Sequence, residues 1–156
     1  MTNSLPLLLR RAQQAVYVVA AIHGLALILV LTHRDVIAGA LAAQHPGADI
    51  GALTDAAVWQ SVIPHVVLAI LLPRRALRLA SGRPSARIVL TVVLGIQVAA
   101  HATLPMVLAE LPGYGVWIIG LQAVSLVFEL VALRLLWTSE ASVHFGRTPA
   151  AISAQV

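Results

Sequence analysis

Four apolar blocks divide the chain, and short polar stretches separate them. They run over about 15–32, 56–72, 88–108 and 115–137. A helix needs about 20 apolar residues to cross the hydrocarbon of a bilayer, and each block is close to that length. The pattern predicts an all-α polytopic membrane protein, a four-transmembrane-helix bundle, with a single domain over 1–156. The connection 33–55 forms one exposed loop, and 138–156 forms a polar tail expected to stay mobile. The first block follows Arg10 and Arg11, as a signal peptide would, and Ala38-Gly39-Ala40 has the small residues of a cleavage site. Its apolar run is nevertheless longer than the usual stretch of about 7–15, and His33-Arg34-Asp35 stands before that site, so a retained helix is expected.

The connections carry their own signals. Val36 to Gln44 is alanine-rich and predicts a short helix lying on the membrane surface. His45-Pro46-Gly47 breaks it, and Asp49 or Thr54 is placed to cap the next helix. Pro73-Arg74-Arg75 is expected to close the second block. The stretch from Arg74 to Arg87, with Leu77 and Leu79 interleaved, is expected to lie on anionic lipid, each arginine adding about 1 kcal/mol of attraction.

Composition agrees with the pattern. Sixty per cent (60%) of residues are hydrophobic and 10% are charged, where a soluble domain carries roughly a quarter. The absence of cysteine excludes disulfides and thiolate chemistry. All ten basic residues are arginine, which together with the abundant alanine points to a high-GC bacterial source. Nine of them (10, 11, 74, 75, 78, 83, 87, 134 and 147) fall on one side of the four blocks, and Arg34 alone falls on the other. The positive-inside rule then places both termini in the cytoplasm of a bacterial plasma membrane. Trp59, Tyr114 and Trp117 mark the outer interface, and Trp137 marks the inner one. This distribution of arginine speaks for orientation and lipid contact, and against nucleic acid.

The candidate chemistry lies inside the blocks. At a 1.5 Å rise per residue, His23 and His65 sit about 13 Å from the outer ends of their spans, and His101 and Gln122 about 10 Å. Glu129 sits about 20 Å down and is expected to lie deeper. Gln97 and His101 share a helical face, as do Ser61 and His65, and Gln122, Ser125 and Glu129 form a stripe. Lipid cannot satisfy such groups, so these faces are predicted to turn inward, with a histidine or glutamine on another helix as partner for Glu129. Pro64 and Pro105 free the carbonyls of Gln60 and His101 nearby. The first reading of the layer is hydrogen-bonded glue between helices, worth about 0.6 kcal/mol per group. Haem held by two histidines, a divalent metal, and an ion or proton path are the alternatives.

Gly95, Ala99 and Thr103 form a second face on the third block, about 160° from Gln97 and His101, suited to close helix packing. It suggests self-association or membership of a larger membrane complex. Ala20 and Gly24 form a shorter version on the first block. No nucleophile–base pair, phosphate loop or dinucleotide fingerprint occurs, and an enzyme is not expected.

The stretch from Arg34-Asp35 through Gln44-His45-Pro46-Gly47 to Asp55-Ala56-Ala57 resembles loops of small uncharacterised four-span membrane proteins of high-GC bacteria. The junction Arg83-Pro84-Ser85-Ala86-Arg87-Ile88-Val89-Leu90 is similar to theirs as well. The resemblance implies a fold and a membrane location, and carries no site residues.

The arginine distribution yields a direct test. With cysteines introduced singly at Ala43 and Ser153 in intact cells, an impermeant thiol reagent should label the first and spare the second. The reverse pattern overturns the orientation.

Overall fold

The computed structural model describes residues 5–103 and 114–146. They form six α-helices and one short 3-10 turn, with no strand among the described residues. Helix α1 spans Leu7–Thr32, α2 Arg34–Gln44, α3 Ile50–Leu77, α4 Pro84–Thr103, α5 Tyr114–Leu136 and α6 Ser139–Gly146. Four of these, α1, α3, α4 and α5, are long and apolar enough to cross a membrane. The chain is an all-α four-helix membrane bundle. Residues 104–108 of the third apolar block, Pro105 among them, lie outside the described residues, as does the tail beyond Gly146.

Two spans are longer than their apolar blocks. Helix α1 begins behind Pro6, whose fixed φ suits a helix start, and the Arg10 amide donates to the Pro6 carbonyl at 2.9 Å. Leu9 and Ala12 are fully buried while Arg10 and Arg11 are exposed, so the first turns are amphipathic although their average is polar. Helix α3 starts at Ile50 because the Asp49 side chain accepts from the Ala52 amide at 3.1 Å, a conventional N-cap. It then runs through Pro64 and, contrary to expectation, through Pro73. Proline removes one helical hydrogen bond. Here the turns on either side are held by Leu72 and Ala76, both fully buried, and Gln13 Nε2 donates to the Ala76 carbonyl at 3.1 Å.

Helix α1 is the hub, packing along both α3 and α5. Helix α4 leans mainly on α5 and meets α3 only lightly, while α2 lies against α3. As predicted, α2 ends at the His45-Pro46-Gly47 break. Arg34 at its start pairs with Asp55 on α3, which closes the loop back on the bundle.

Packing is uneven along the bundle. The larger apolar cluster fills the arginine-rich half and includes Leu9, Val16, Leu72, Leu90, Leu94 and Leu136. A small cluster of Val30, Val58 and Val62 fills the opposite end. The polar side chains lie between the two.

The arginine-rich end differs from the sequence reading. The expected polar tail begins with helix α6, whose Ala141 and Phe145, four residues apart, both enter the main cluster. The stretch after α3 does not simply lie on lipid either. It forms the 3-10 turn Arg78–Ser81, which buries Leu79 completely while Leu77 stays exposed. Gly82 ends the turn at φ 65, a left-handed conformation that suits glycine, and His144 Nε2 donates to the Leu79 carbonyl at 3.1 Å. Arg87 is 9% exposed, with its guanidinium carbon 3.8 Å from the centre of the Trp137 ring and 5.5 Å from that of Phe145. Its Nη2 donates to Ser142 Oγ at 3.2 Å, and Trp137 Nε1 donates to Thr91 Oγ1 at 2.9 Å. One of the counted arginines is thus a structural cation between two aromatic rings.

Replacing Phe145 with alanine should destabilise the protein by about 3 kcal/mol and release α6. Val143, exposed on the same helix, is the control and should change little on the same replacement. Reversible unfolding in mild detergent measures both, and equal effects would show that α6 is not anchored through Phe145.

Candidate functional site

The six polar residues predicted to face inward all come together at one level of the bundle. His23 on α1 is the centre and is 3% exposed. Its Nδ1 lies 2.9 Å from Nδ1 of His65 on α3, and its Nε2 lies 2.9 Å from Oε1 of Gln97 on α4. An amide oxygen only accepts, so His23 Nε2 carries a proton and donates it. With neutral rings, His23 Nδ1 is then the acceptor and His65 Nδ1 the donor. The His23 and His65 ring centres are 5.1 Å apart at 40°, and those of His23 and His101 are 6.4 Å apart at 24°.

The second part of the centre joins α4 to α5. His101 Nδ1 lies 3.1 Å from Glu129 Oε2, and Ser125 Oγ donates to Glu129 Oε1 at 2.8 Å. Glu129 is fully buried. Its partner is a histidine on another helix, as the spacing argument required. Glu129, expected deeper than the histidines, still reaches one of them, and the reason is directional. Helical side chains lean towards their own N-terminus. Helices α4 and α5 run in opposite directions, so His101 leans down and Glu129 leans up until they meet. Estimating depth from Cα positions alone exaggerates their separation.

A cavity of about 370 Å³ opens beside this centre. His23, His65, Gln97, His101 and Gln122 all line it, and Ser61 and Ser125 add hydroxyls. The remaining wall is apolar and comes from all four spans, with Ile22 and Ala26 on α1, Leu68 on α3, Ala100 on α4, and Ile118 and Leu121 on α5. Two buried amide atoms at this level have no hydrogen-bond partner among the described residues, Nε2 of Gln97 and Oε1 of Gln122. Towards the arginine-rich end the cavity gives way to the main apolar cluster, in which Ala132, Leu136, Leu90 and Leu94 are 0% or 1% exposed. The site is therefore closed on that side by hydrocarbon side chains.

The geometry bears on each kind of occupant. Among the described residues, no three histidine, aspartate or glutamate side chains converge as metal ligands. His23 and His65 nitrogens 2.9 Å apart are also too close to stand on opposite faces of one iron. That arrangement takes about 4 Å, twice a metal–nitrogen bond of about 2 Å. What the centre does offer is hydrogen-bonding capacity beside an apolar chamber, the usual make-up of a small-molecule site.

The small-residue face lies elsewhere. Gly95 and Ala99 are on the outer surface of the bundle, and a methyl group added at Gly95 would meet nothing within 4 Å. No helix among the described residues covers Gly95. The Thr103 side chain lies outside the described residues, and Ala20, from the shorter version of this face, is in the core.

Sequence reasoning missed the chamber itself, because its apolar wall residues are indistinguishable from lipid-facing ones in a uniformly apolar block. Gln97 and Gln122 were visible, but that each would keep an unmet atom was not.

The buried pair makes an ordered prediction. His101→Leu leaves Glu129 with Ser125 alone and no histidine partner, and should cost about 3–5 kcal/mol. Replacing both residues with leucine should recover most of that loss. Unfolding measurements on the two single leucine variants and the double variant test this, and simple additivity would show that the pair is not coupled.

Compared with known proteins, the chain matches no family model, no curated protein and no solved structure, so its function has to be read from the geometry of this centre.

Proposed function

We propose that this chain is a non-catalytic, multi-pass protein of a bacterial plasma membrane whose bundle binds a small lipid-soluble molecule. Both termini face the cytoplasm in this reading, and the exposed arginines at that end contact anionic lipid. The observation that carries it is the 370 Å³ chamber, lined by five imidazole and amide side chains and shut at one end by apolar packing. Glue alone does not need a chamber, since helices joined only by hydrogen bonds gain most by packing closely around them. A path for protons or ions needs polar groups leading onward, and the fully buried leucines beneath Glu129 supply none. A binding site needs what is present, an apolar wall with a few convergent polar groups.

Filling the chamber tests the proposal without removing a hydrogen bond. The wild-type protein, taken from its membrane directly into lipid nanodiscs, should yield a bound small molecule on organic extraction. Ala26→Phe, at a half-buried wall position, should lose it while remaining folded. Identical extracts from the two proteins overturn the binding reading.

A second reading is favoured by the exposed Gly95 and Ala99, which suit a close approach by another helix. In it the bundle self-associates or serves as a small subunit of a larger assembly. Ala99→Leu should then abolish association in nanodiscs while leaving the monomer folded. A wild-type chain that is monomeric in native lipid, with nothing co-purifying, overturns this second reading.

A further inference from the structure

Two side chains that line the chamber carry unmet hydrogen-bonding atoms, and these define the chemistry of its occupant more closely than its shape does. Gln97 is 5% exposed and gives its oxygen to His23, which leaves its Nε2 with protons and no acceptor among the described residues. Gln122 has the opposite deficit, a buried Oε1 with no donor among them. Both residues line the chamber. His65 adds a third position. Its Nδ1 donates to His23 in the proton order given by the Gln97 oxygen, so a neutral His65 presents a bare lone pair at Nε2. Lipid tails satisfy none of these groups, and an unmet buried polar group is costly.

A hydroxyl group answers two of the three at once, because it accepts from Gln97 while donating to Gln122 or His65. With the Gln97 amide turned over a hydroxyl still fits, now between Gln97 and His65. Turning it over makes His23 Nε2 the acceptor and reverses the proton order along the chain. Gln97 then offers an oxygen and His65 Nε2 a proton, so the two lining side chains still supply one donor and one acceptor.

Charge narrows the class. Glu129 and His101 answer each other, and no arginine among the described residues lines the chamber. A charged occupant would find no counterion in a site of low polarity, so the occupant is neutral. Size and access agree. A dry cavity of about 150 Å³ accommodates benzene, and 370 Å³ leaves room for a substituted ring or a branched chain. Pro64 on α3 and Ala100 on α4 line the chamber and are exposed on the bundle surface, and these two helices meet only lightly overall. A hydrocarbon tail can leave there, sideways into lipid.

We infer that the chamber takes a neutral, lipid-soluble alcohol or phenol, with its hydroxyl held between the amides of Gln97 and Gln122. The inference rests on the reading of the cavity as a binding site. The full-length protein in nanodiscs is titrated with two matched pairs of probes, p-octylphenol against its methyl ether and farnesol against its methyl ether. The hydroxyl member of at least one pair should bind about tenfold or more tightly than its ether. The pair that discriminates tells a phenolic ligand from an aliphatic alcohol. Gln122→Leu should erase the preference while keeping the affinity for the ether, and Gln97→Leu provides the same readout if that variant folds less well.

Equal binding of alcohol and ether to the wild type overturns the inference and leaves the binding site in place. Failure of all four probes to bind also overturns it. If organic extraction of the nanodiscs recovers a molecule that Ala26→Phe loses and that carries no hydroxyl, this inference falls alone. If extraction recovers nothing, the binding reading falls with it.

Discussion

Hydrocarbon offers no hydrogen bonds, and the six polar side chains of the central layer can be satisfied only by one another, by neighbouring protein groups such as Ser125, or by something brought among them. That constraint organises the bundle. In water, apolar faces would draw the helices together, whereas in lipid a leucine gains little by exchanging lipid tails for another leucine. Directional contacts must then fix which faces meet and at what height. His23 supplies them to α3 and α4 together, and the His101–Glu129 pair ties α4 to α5. Each of the four spans enters the network through at least one residue.

The network is almost closed, and its two unmet amide atoms mark where it stops. Protein interiors rarely leave such atoms buried and unpaired. Here both side chains line a chamber where packing gives way, and that coincidence is what turns a structural layer into a candidate site.

Much of this was legible in the sequence, for physical reasons that can be traced residue by residue. The apolar blocks showed four spans because the thickness of a bilayer sets their length. The Asp49 cap and the His45-Pro46-Gly47 break were visible because both act through local backbone chemistry. The shared depth of the three histidines followed from helical rise alone. Other features were hidden. The early start of α1 was masked by Arg10 and Arg11, which a count of apolar residues treats as an end although Leu9 beside them is fully buried. The passage of α3 through Pro73 depends on packing that no local signal carries. Helix α6 offered only Ala141 and Phe145 in eight residues, too brief a pattern to stand out. Arg87 looked like any other arginine, because its aromatic partners Trp137 and Phe145 come from 50 and more positions further along the chain. The meeting of Glu129 with His101 across their difference in depth was hidden because side chains lean and Cα positions do not record it.

The Arg87 clamp also has a mechanical consequence. At that end of the bundle α4 is gripped by Trp137 and the α6 residues Ser142 and Phe145, above which the leucine-rich cluster leaves no slack. Along its whole length α4 meets α3 only lightly, so the chain hangs this helix mainly on α5 and on the clamp at its start. Arg87 therefore works as a rivet for α4, and pulling it out would loosen the seating of Gln97 and His101, about three to four turns further along the same helix.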